Sequence, residues 1–426
     1  MRAKGLEILK NIVIVLLALS VVVLAITVYS DSTLSGAQNL RQLQQRITLL
    51  FRDENYRLEY ASESLSAATA AKPTVISVRN SFGRQTTRYD ADALDSAYEA
   101  LGGLLGEALE TAGEAEQIRT IDWRTALQQT GIYYLYSDPL STQLLSGWLE
   151  VQGSLSAVTD RLVLCRQEDG IYLYCAVSGG YLRAKTLVDE TRFSELVEAC
   201  RPDGSAFVLE LDTDGYDLLD KESILSMRPA VSIAEVQSEN PVDSTMVTTL
   251  ASMFGFNPYG NSYTTSDGTQ IYEETTRSLS IAADGTLTVR NSGSQEDRFL
   301  ADSATDEALV EYTRALLEQI CGGVRADGRL QLTGLLRSGN EVSLTFDYFV
   351  GGIRVQNGTT GAARVLFSGT RLSELKVLLR TYTLTGNLHS LLPERQVAAI
   401  VEKGTRLTLS YSDTGAQILG AGWNRE

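Results

Sequence analysis

The sequence predicts an α+β protein held to a membrane: a single N-terminal transmembrane helix followed by two mixed domains of mainly antiparallel sheet with packed helices. Three observations predict it. The stretch from Ile12 to Val28 carries no charge and only Ser20 and Thr27 as polar side chains. At about 1.5 Å per helical residue it is long enough to cross a hydrocarbon core roughly 30 Å thick. Beyond it, strand-like and helix-like stretches follow one another without the regular alternation of a doubly wound parallel sheet. The roughly 400 residues that remain of the 426 exceed the size, about 250 residues, at which single cores stop growing. The expected division is therefore 1–30 for the cytoplasmic N-terminus and anchor, 31–230 for a first extracytoplasmic domain and 231–426 for a second region with room for two subdomains.

Arg2, Lys4 and Lys10 precede the apolar run and Asp31 follows it. The positive-inside rule then places the N-terminus in the cytoplasm and the bulk of the chain outside, with Tyr29 at the outer interface. A cleaved signal peptide is the competing reading, but the run exceeds a usual h-region and no clear small-x-small site follows it. Ala18, Ser20, Ala25 and Thr27 are small enough to let a partner helix approach the anchor closely, although without a G-x-x-x-G the plain lipid-facing reading stands beside this one.

From Ser35 to Arg52, Leu40, Leu43, Ile47 and Leu50 recur on one side, as in a helix continuing outward as a stalk. Pro73 to Asn80 reads as a strand, and a polar segment then runs to Asp90. Leu94, Tyr98, Leu101, Leu105 and Ala108 define the next helix, with Asp90 or Asp92 as N-cap and Gly113 as stop. Strands are expected at Ile132–Pro139, Arg161–Cys165 and Ile171–Val177, a helix at Phe193–Cys200 and an extended piece at Phe207–Leu211. Asn240-Pro241 separates the halves. In the second half, Asp284-Gly285 joins two strands as a hairpin. Ser303 with Asp306 reads as a capping box for a helix through Leu309, Leu316, Leu317 and Ile320 that Gly322 ends. Strand-rich sequence follows from Arg329 to Thr385, turning at Gly351-Gly352. A last helix has Pro393 at N1, Gly404 at C′ and Val397, Ile400 and Val401 buried, before strands at Arg406–Tyr411 and Ala416–Trp423.

The formal charge is −16, and because Arg2, Lys4, Lys10 and Glu7 make the first thirty residues +2, the exported part carries −18. Such a surface repels nucleic acid and anionic lipid. Four cysteines, Cys165, Cys175, Cys200 and Cys321, are too few for a disulfide scaffold. Cys200 and Cys321 fall on apolar helix faces and read as core. Cys165 and Cys175 flank a hairpin without standing directly opposite each other, so a bridge between them is open but not the favoured reading.

His389 is the single histidine, with neither a nucleophile elbow nor a paired motif beside it. The histidine and the cysteines show no zinc-ligand spacing. Gly351-Gly352 lies in no G-x-G-x-x-G or Walker A pattern, and a hairpin accounts for it. The run from Asp212 to Asp220 resembles a calcium loop for a few residues but lacks the closing glutamate. The expectation is no catalytic residue, no metal and no cofactor, and no small-molecule substrate. Two carboxylates acting on wall glycan remain the enzyme alternative, which only their spacing in the fold can decide.

Several stretches together resemble the YycH and YycI family, single-pass extracytoplasmic regulators of the WalK-type sensor histidine kinase of Gram-positive bacteria. In the first half the resemblance rests on the anchor, the Pro73–Asn80 strand leading to Tyr89, the Leu94–Leu109 helix and Tyr133-Tyr134-Leu135-Tyr136. In the second half it rests on Phe256-Asn257-Pro258, Tyr263 through Thr269, Arg277 to Ile281, Asp284-Gly285, Tyr348 to Val355, and the close from Leu409 to Trp423. Ala421-Gly422 departs from the proline expected before that tryptophan. The resemblance implies a protein without an active site of its own, whose anchor packs against kinase transmembrane helices while its outer domains contact the kinase sensor or a sister regulator. A PepSY-like partner or inhibitor of an exported cell-wall hydrolase or protease is the alternative, because such domains share the Asp-Gly hairpins.

Overall fold

The computed structural model describes residues 70–211, 215–226, 231–260, 262–292, 299–358 and 361–425, all within one compact unit, Leu58–Glu426. The expected anchor and stalk, with Ala18, Ser20, Ala25 and Thr27, lie outside the described residues. Among those described, no helix is long and apolar enough to cross a membrane.

The first half opens with β1 (Val75–Asn80) and β2 (Gly83–Arg88). The polar segment before Asp90 is thus a strand that the alternation rule missed, because Gly-Arg-Gln-Thr-Thr-Arg offers no apolar period. Its register with β1 pairs Val75 with Arg88 and Asn80 with Gly83. Helix α1 (Ala91–Thr111) begins where the Asp90 side chain accepts from Ala93 N, so the first of the two N-cap candidates is the cap. Its stripe of Leu94, Tyr98, Leu101, Leu105 and Ala108 is buried. Then come β3 (Glu116–Ile118), α2 (Thr120–Gln128), β4 (Gly131–Ser141), α3 (Thr142–Trp148), β5 (Val158–Gln167), β6 (Gly170–Val177), β7 (Gly180–Lys185) and α4 (Glu190–Glu198).

The seven strands form one wholly antiparallel sheet in the order β2-β1-β4-β5-β6-β7-β3. On one face α1, α3 and α4 cover Ile132, Tyr134, Leu162, Leu164, Leu173 and Cys175. On the other, Trp123 of α2 joins Phe207 and Ile224, from the short pair β8 (Ala206–Phe207) and β9 (Ile224–Leu225), over Tyr133, Val163, Cys165 and Tyr174. Burial on both faces explains why β4 reads as a continuous aromatic run instead of alternating. It also settles the cysteines: Cys165 and Cys175 are free thiols on opposite faces of the sheet. The expected extension to Leu211 stops at Phe207, after which Val208–Glu210 forms a 3-10 turn capped by Glu210 on Phe207 N.

The second half comprises β10 (Val231–Glu239), α5 (Ser244–Met253), β11 (Ser262–Thr264), β12 (Gln270–Glu273), β13 (Arg277–Ile281), β14 (Thr286–Asn291) and α6 (Asp306–Cys321). It continues with β15 (Arg329–Ser338), β16 (Glu341–Val350), β17 (Ile353–Gln356), β18 (Ala363–Ser368), β19 (Arg371–Leu378) and β20 (Thr381–Leu391). It ends with α7 (Glu394–Ala398), β21 (Leu407–Ser412), β22 (Ile418–Leu419) and β23 (Ala421–Arg425). The large sheet runs β11-β12-β13-β14-β19-β18-β16-β17-β21-β23, with β15 on the other edge of β16, and only β17 and β21 are parallel. Strands β20, β10 and β22 make a smaller sheet. The fold is therefore α+β and mainly antiparallel, as the irregular order of elements predicts.

Three helix boundaries differ from the expectation. The cap of α6 is Thr305, whose hydroxyl accepts from Ala308 N at 3.3 Å, while Ser303 Oγ turns to Thr305 Oγ1 at 3.0 Å. A start at Thr305 puts Asp306 and Glu307 together in the first turn, against the positive end of the helix dipole. Helix α7 has only five residues, with Pro393 as its N-cap instead of N1 and Ala399 as its C-cap well before Gly404, so Val401, buried, and Ile400, 61 % exposed, lie beyond it. Cys321 is buried as expected, but Cys200 lies past the end of α4 and is only half-buried.

Each half has its own sheet, yet the largest apolar cluster is shared. Leu104, Leu105 and Leu109 of α1 belong to the same buried group as Leu309, Leu316 and Leu317 of α6 and Val342, Leu344 and Phe346 of β16. Each such leucine contributes about 2 kcal/mol by leaving water.

Candidate functional site

The seam between the halves opens into a cavity of about 330 Å³. Its near wall is Ala70, Lys72, Pro73 and Thr74 with Ala91, Leu94 and Asp95 from the first turns of α1; its far wall is Arg314, Leu317 and Glu318 of α6 and Arg329 to Leu332 of β15. Capping by Asp90 fixes where α1 starts, and so places Asp95 at the cavity one turn later. Trp148, at the end of α3, and Phe346 line it as well.

Most charges here are matched. Arg325 pairs with Glu318 at 2.6 Å and Arg314 with Glu311 at 2.8 Å. Trp148 Nε1 donates to Glu311 Oε1 at 2.6 Å, and the Arg314 guanidinium lies 5.8 Å from the Trp148 ring centre. Asp95 receives two cations. Lys72 Nζ stands 2.9 Å from Oδ1 and Arg329 Nη1 stands 3.0 Å from Oδ2. Partial burial would raise the Asp95 carboxyl, but hydrogen bonds and charge from Lys72 and Arg329 outweigh it and hold the group below its usual value. It is thus ionised at neutral pH and is no proton donor.

Lys72 and Asp95 also border a second, more open groove of about 770 Å³ along α1, lined by Tyr98, Glu99, Gly102, Gly103, Gly106, Glu107 and Glu110. Gly102 lies close under Tyr98: a Cβ there would come within 2.9 Å of the end of the Tyr98 ring. Tyr98 is 5 % exposed and its hydroxyl has no hydrogen-bond partner among the described residues. Arg192 pairs with Glu107 at 3.2 Å, while Glu99 and Glu110 are exposed and enter no ion pair within the described residues. The two adjoining depressions, which share Lys72 and Asp95, are therefore cationic at the seam and anionic along α1.

A buried polar cluster lies elsewhere, beside a cavity of about 370 Å³. Tyr382 OH donates to Asp413 Oδ2 at 2.8 Å, Ser238 Oγ donates to the same oxygen at 3.0 Å, and Asn357 Nδ2 donates to Tyr382 OH at 2.8 Å. Asp413 is also 3.4 Å from Arg380 Nε. These bonds tie β10 and β20 to the loop after β21, although Asn357 Oδ1 has no partner among the described residues. The thiols of Cys165, Cys175 and Cys321 are pushed up to about 12 by burial, which removes their nucleophilic thiolate at neutral pH. His389 is exposed on β20, opposite Ile233. No group of three metal-ligating side chains occurs among the described residues.

None of Lys72, Asp95, Trp148, Arg314 or Arg329 stands in a motif that marks it as a site residue in the sequence. Only the 311/314 spacing, one helical turn, is a signal that a single sequence carries; residues 95 and 329 are brought together by the fold. The class these observations define is an α+β protein with a charged groove at the seam of two sheets. Comparison with protein-family models, with curated proteins and with solved structures finds no match to this chain.

Proposed function

We propose that this chain is a membrane-anchored, non-catalytic accessory regulator of a sensor histidine kinase controlling cell-wall homeostasis, with its N-terminus in the cytoplasm and its sheets outside. The carrying observation is the position of the seam cavity. One wall is made by Ala70 to Thr74, the described residues nearest in sequence to the expected anchor, and the other by α6 and β15 of the distant half. An occupant of that cavity therefore touches both. A regulator biases its partner only through contacts that differ between the partner's states, and a charged seam offers such contacts.

The test is a mild-detergent pull-down of the full chain against a chimera in which Ile12 to Val28 is replaced by an unrelated membrane helix, both read by mass spectrometry. Recovery of a sensor kinase with the native helix, and its loss with the chimera, supports regulation through the membrane. Recovery of a cell-wall hydrolase with both sinks the kinase reading and favours the PepSY-like alternative.

A further inference from the structure

We propose that the seam cavity and the α1 groove together bind an extended peptide segment of a partner protein, with an acidic and apolar head in the cavity and a basic tail along α1. The proposal names the ligand class of the recognition site on which the functional reading rests.

The head is set by an imbalance. Lys72 and Arg329 share the single carboxylate of Asp95, and Arg329 spends only Nη1 on it, at 3.0 and 3.1 Å. Its Nε and Nη2 remain without a partner among the described residues and form the fork that takes a carboxylate in two hydrogen bonds. Beside this fork the cavity is lined by Leu94, Trp148, Leu317 and Phe346, so the acid sits next to an apolar residue.

The tail is set by the opposite sign. Past the Lys72–Asp95 pair, Glu99 and Glu110 stand exposed and unneutralised within the described residues, on the groove that runs along α1. From Asp95 to Glu110 the helix rises roughly 22 Å. That length matches about seven residues of extended chain. A protein segment fits it better than a single small anion, which would use only the head.

The experiment uses the full chain in nanodiscs and two labelled eight-residue peptide amides, read by fluorescence anisotropy at low salt. One peptide carries Leu-Phe-Glu at one end and Lys-Lys at the other; in its mate the charges are exchanged. The acidic-head peptide is expected to bind at least tenfold tighter than its mate. Arg329→Glu should reverse the order, and a paired Glu99→Lys, Glu110→Lys change should weaken the acidic-head peptide about tenfold. Arg329 is 41 % exposed, so unaltered circular dichroism is expected for its variant. Equal binding of both peptides, or none, overturns the proposal. So does carbodiimide crosslinking of Lys72 to carboxylates of residues 31–69 or of a second copy, since the chain itself then fills the groove. No kinase takes part in these measurements: loss of kinase recovery with the peptide order intact removes the kinase reading alone, and the converse removes the peptide alone.

Discussion

Replacing Trp148 with phenylalanine asks whether the seam is held by a defined polar contact or by apolar burial alone. Trp148 is 4 % exposed and donates from Nε1 to Glu311 on α6 at 2.6 Å. A hydrogen bond to a charged group contributes about 1.5–3 kcal/mol. Glu311 is one-third exposed and partly rehydrates when its donor leaves, so the low end, about 1.5 kcal/mol, applies. The smaller ring also returns roughly 40 Å² of apolar burial, about 1 kcal/mol. The sum is about 2.5 kcal/mol. For a unit of about 370 residues the unfolding entropy is roughly 0.8 kcal/mol per degree, so Tm should fall by about 3 °C. The decisive assay is a double-mutant cycle in urea with Glu311→Ala, whose coupling should be about 1.5 kcal/mol. Coupling below about 0.5 kcal/mol, with Trp148→Phe equally harmful in both backgrounds, would refute the polar clasp.

Three further outcomes follow from the same geometry. Asp413→Ala leaves Tyr382, Ser238 and Arg380 facing a lost acceptor and should cost about 3–5 kcal/mol in urea melts, whereas Tyr382→Phe should cost about 1–3 kcal/mol; equal, small losses would mean the cluster is hydrated. The folded-state pKa of Asp95 is depressed, so its contribution is present above the unfolded value of 3.8 and is lost as pH falls through the folded value. Asp95→Asn should flatten the acid limb of stability below about pH 4, and parallel limbs for wild type and variant would show that the pairing is not stabilising. In native protein at pH 8, a thiol reagent should modify half-buried Cys200 first and leave Cys165, Cys175 and Cys321 protected; early labelling of Cys165 would contradict the covered sheet face.

Much of the architecture was legible from local chemistry. The stripe from Leu94 to Ala108 and the cap at Asp90 define α1 because helix period and end chemistry are local properties. Gly285 and the Gly351-Gly352 pair mark turns because their φ values of +88°, +59° and +79° are costly for other residues. The irregular mixture of elements was enough to predict an antiparallel α+β fold. Strand β2 was illegible, because its stability comes from pairing with β1 and from partners such as Glu210, which accepts from Arg84 at 3.0 Å across 126 residues.

The charged seam groove belongs to the other kind of information. Composition determined that the chain is acidic and low in cysteine, and the first thirty residues determined the expectation of an anchor. Nothing local marks Lys72, Asp95 and Arg329 as one site, since the last two are 234 residues apart. Only tertiary packing decided that α1 and β15 meet at a seam, that two cations share one carboxylate there, and that Cys165 and Cys175 lie on opposite faces of one sheet. Secondary structure is written in periods of two and 3.6 residues, whereas electrostatic complementarity depends on distances that only the folded chain possesses.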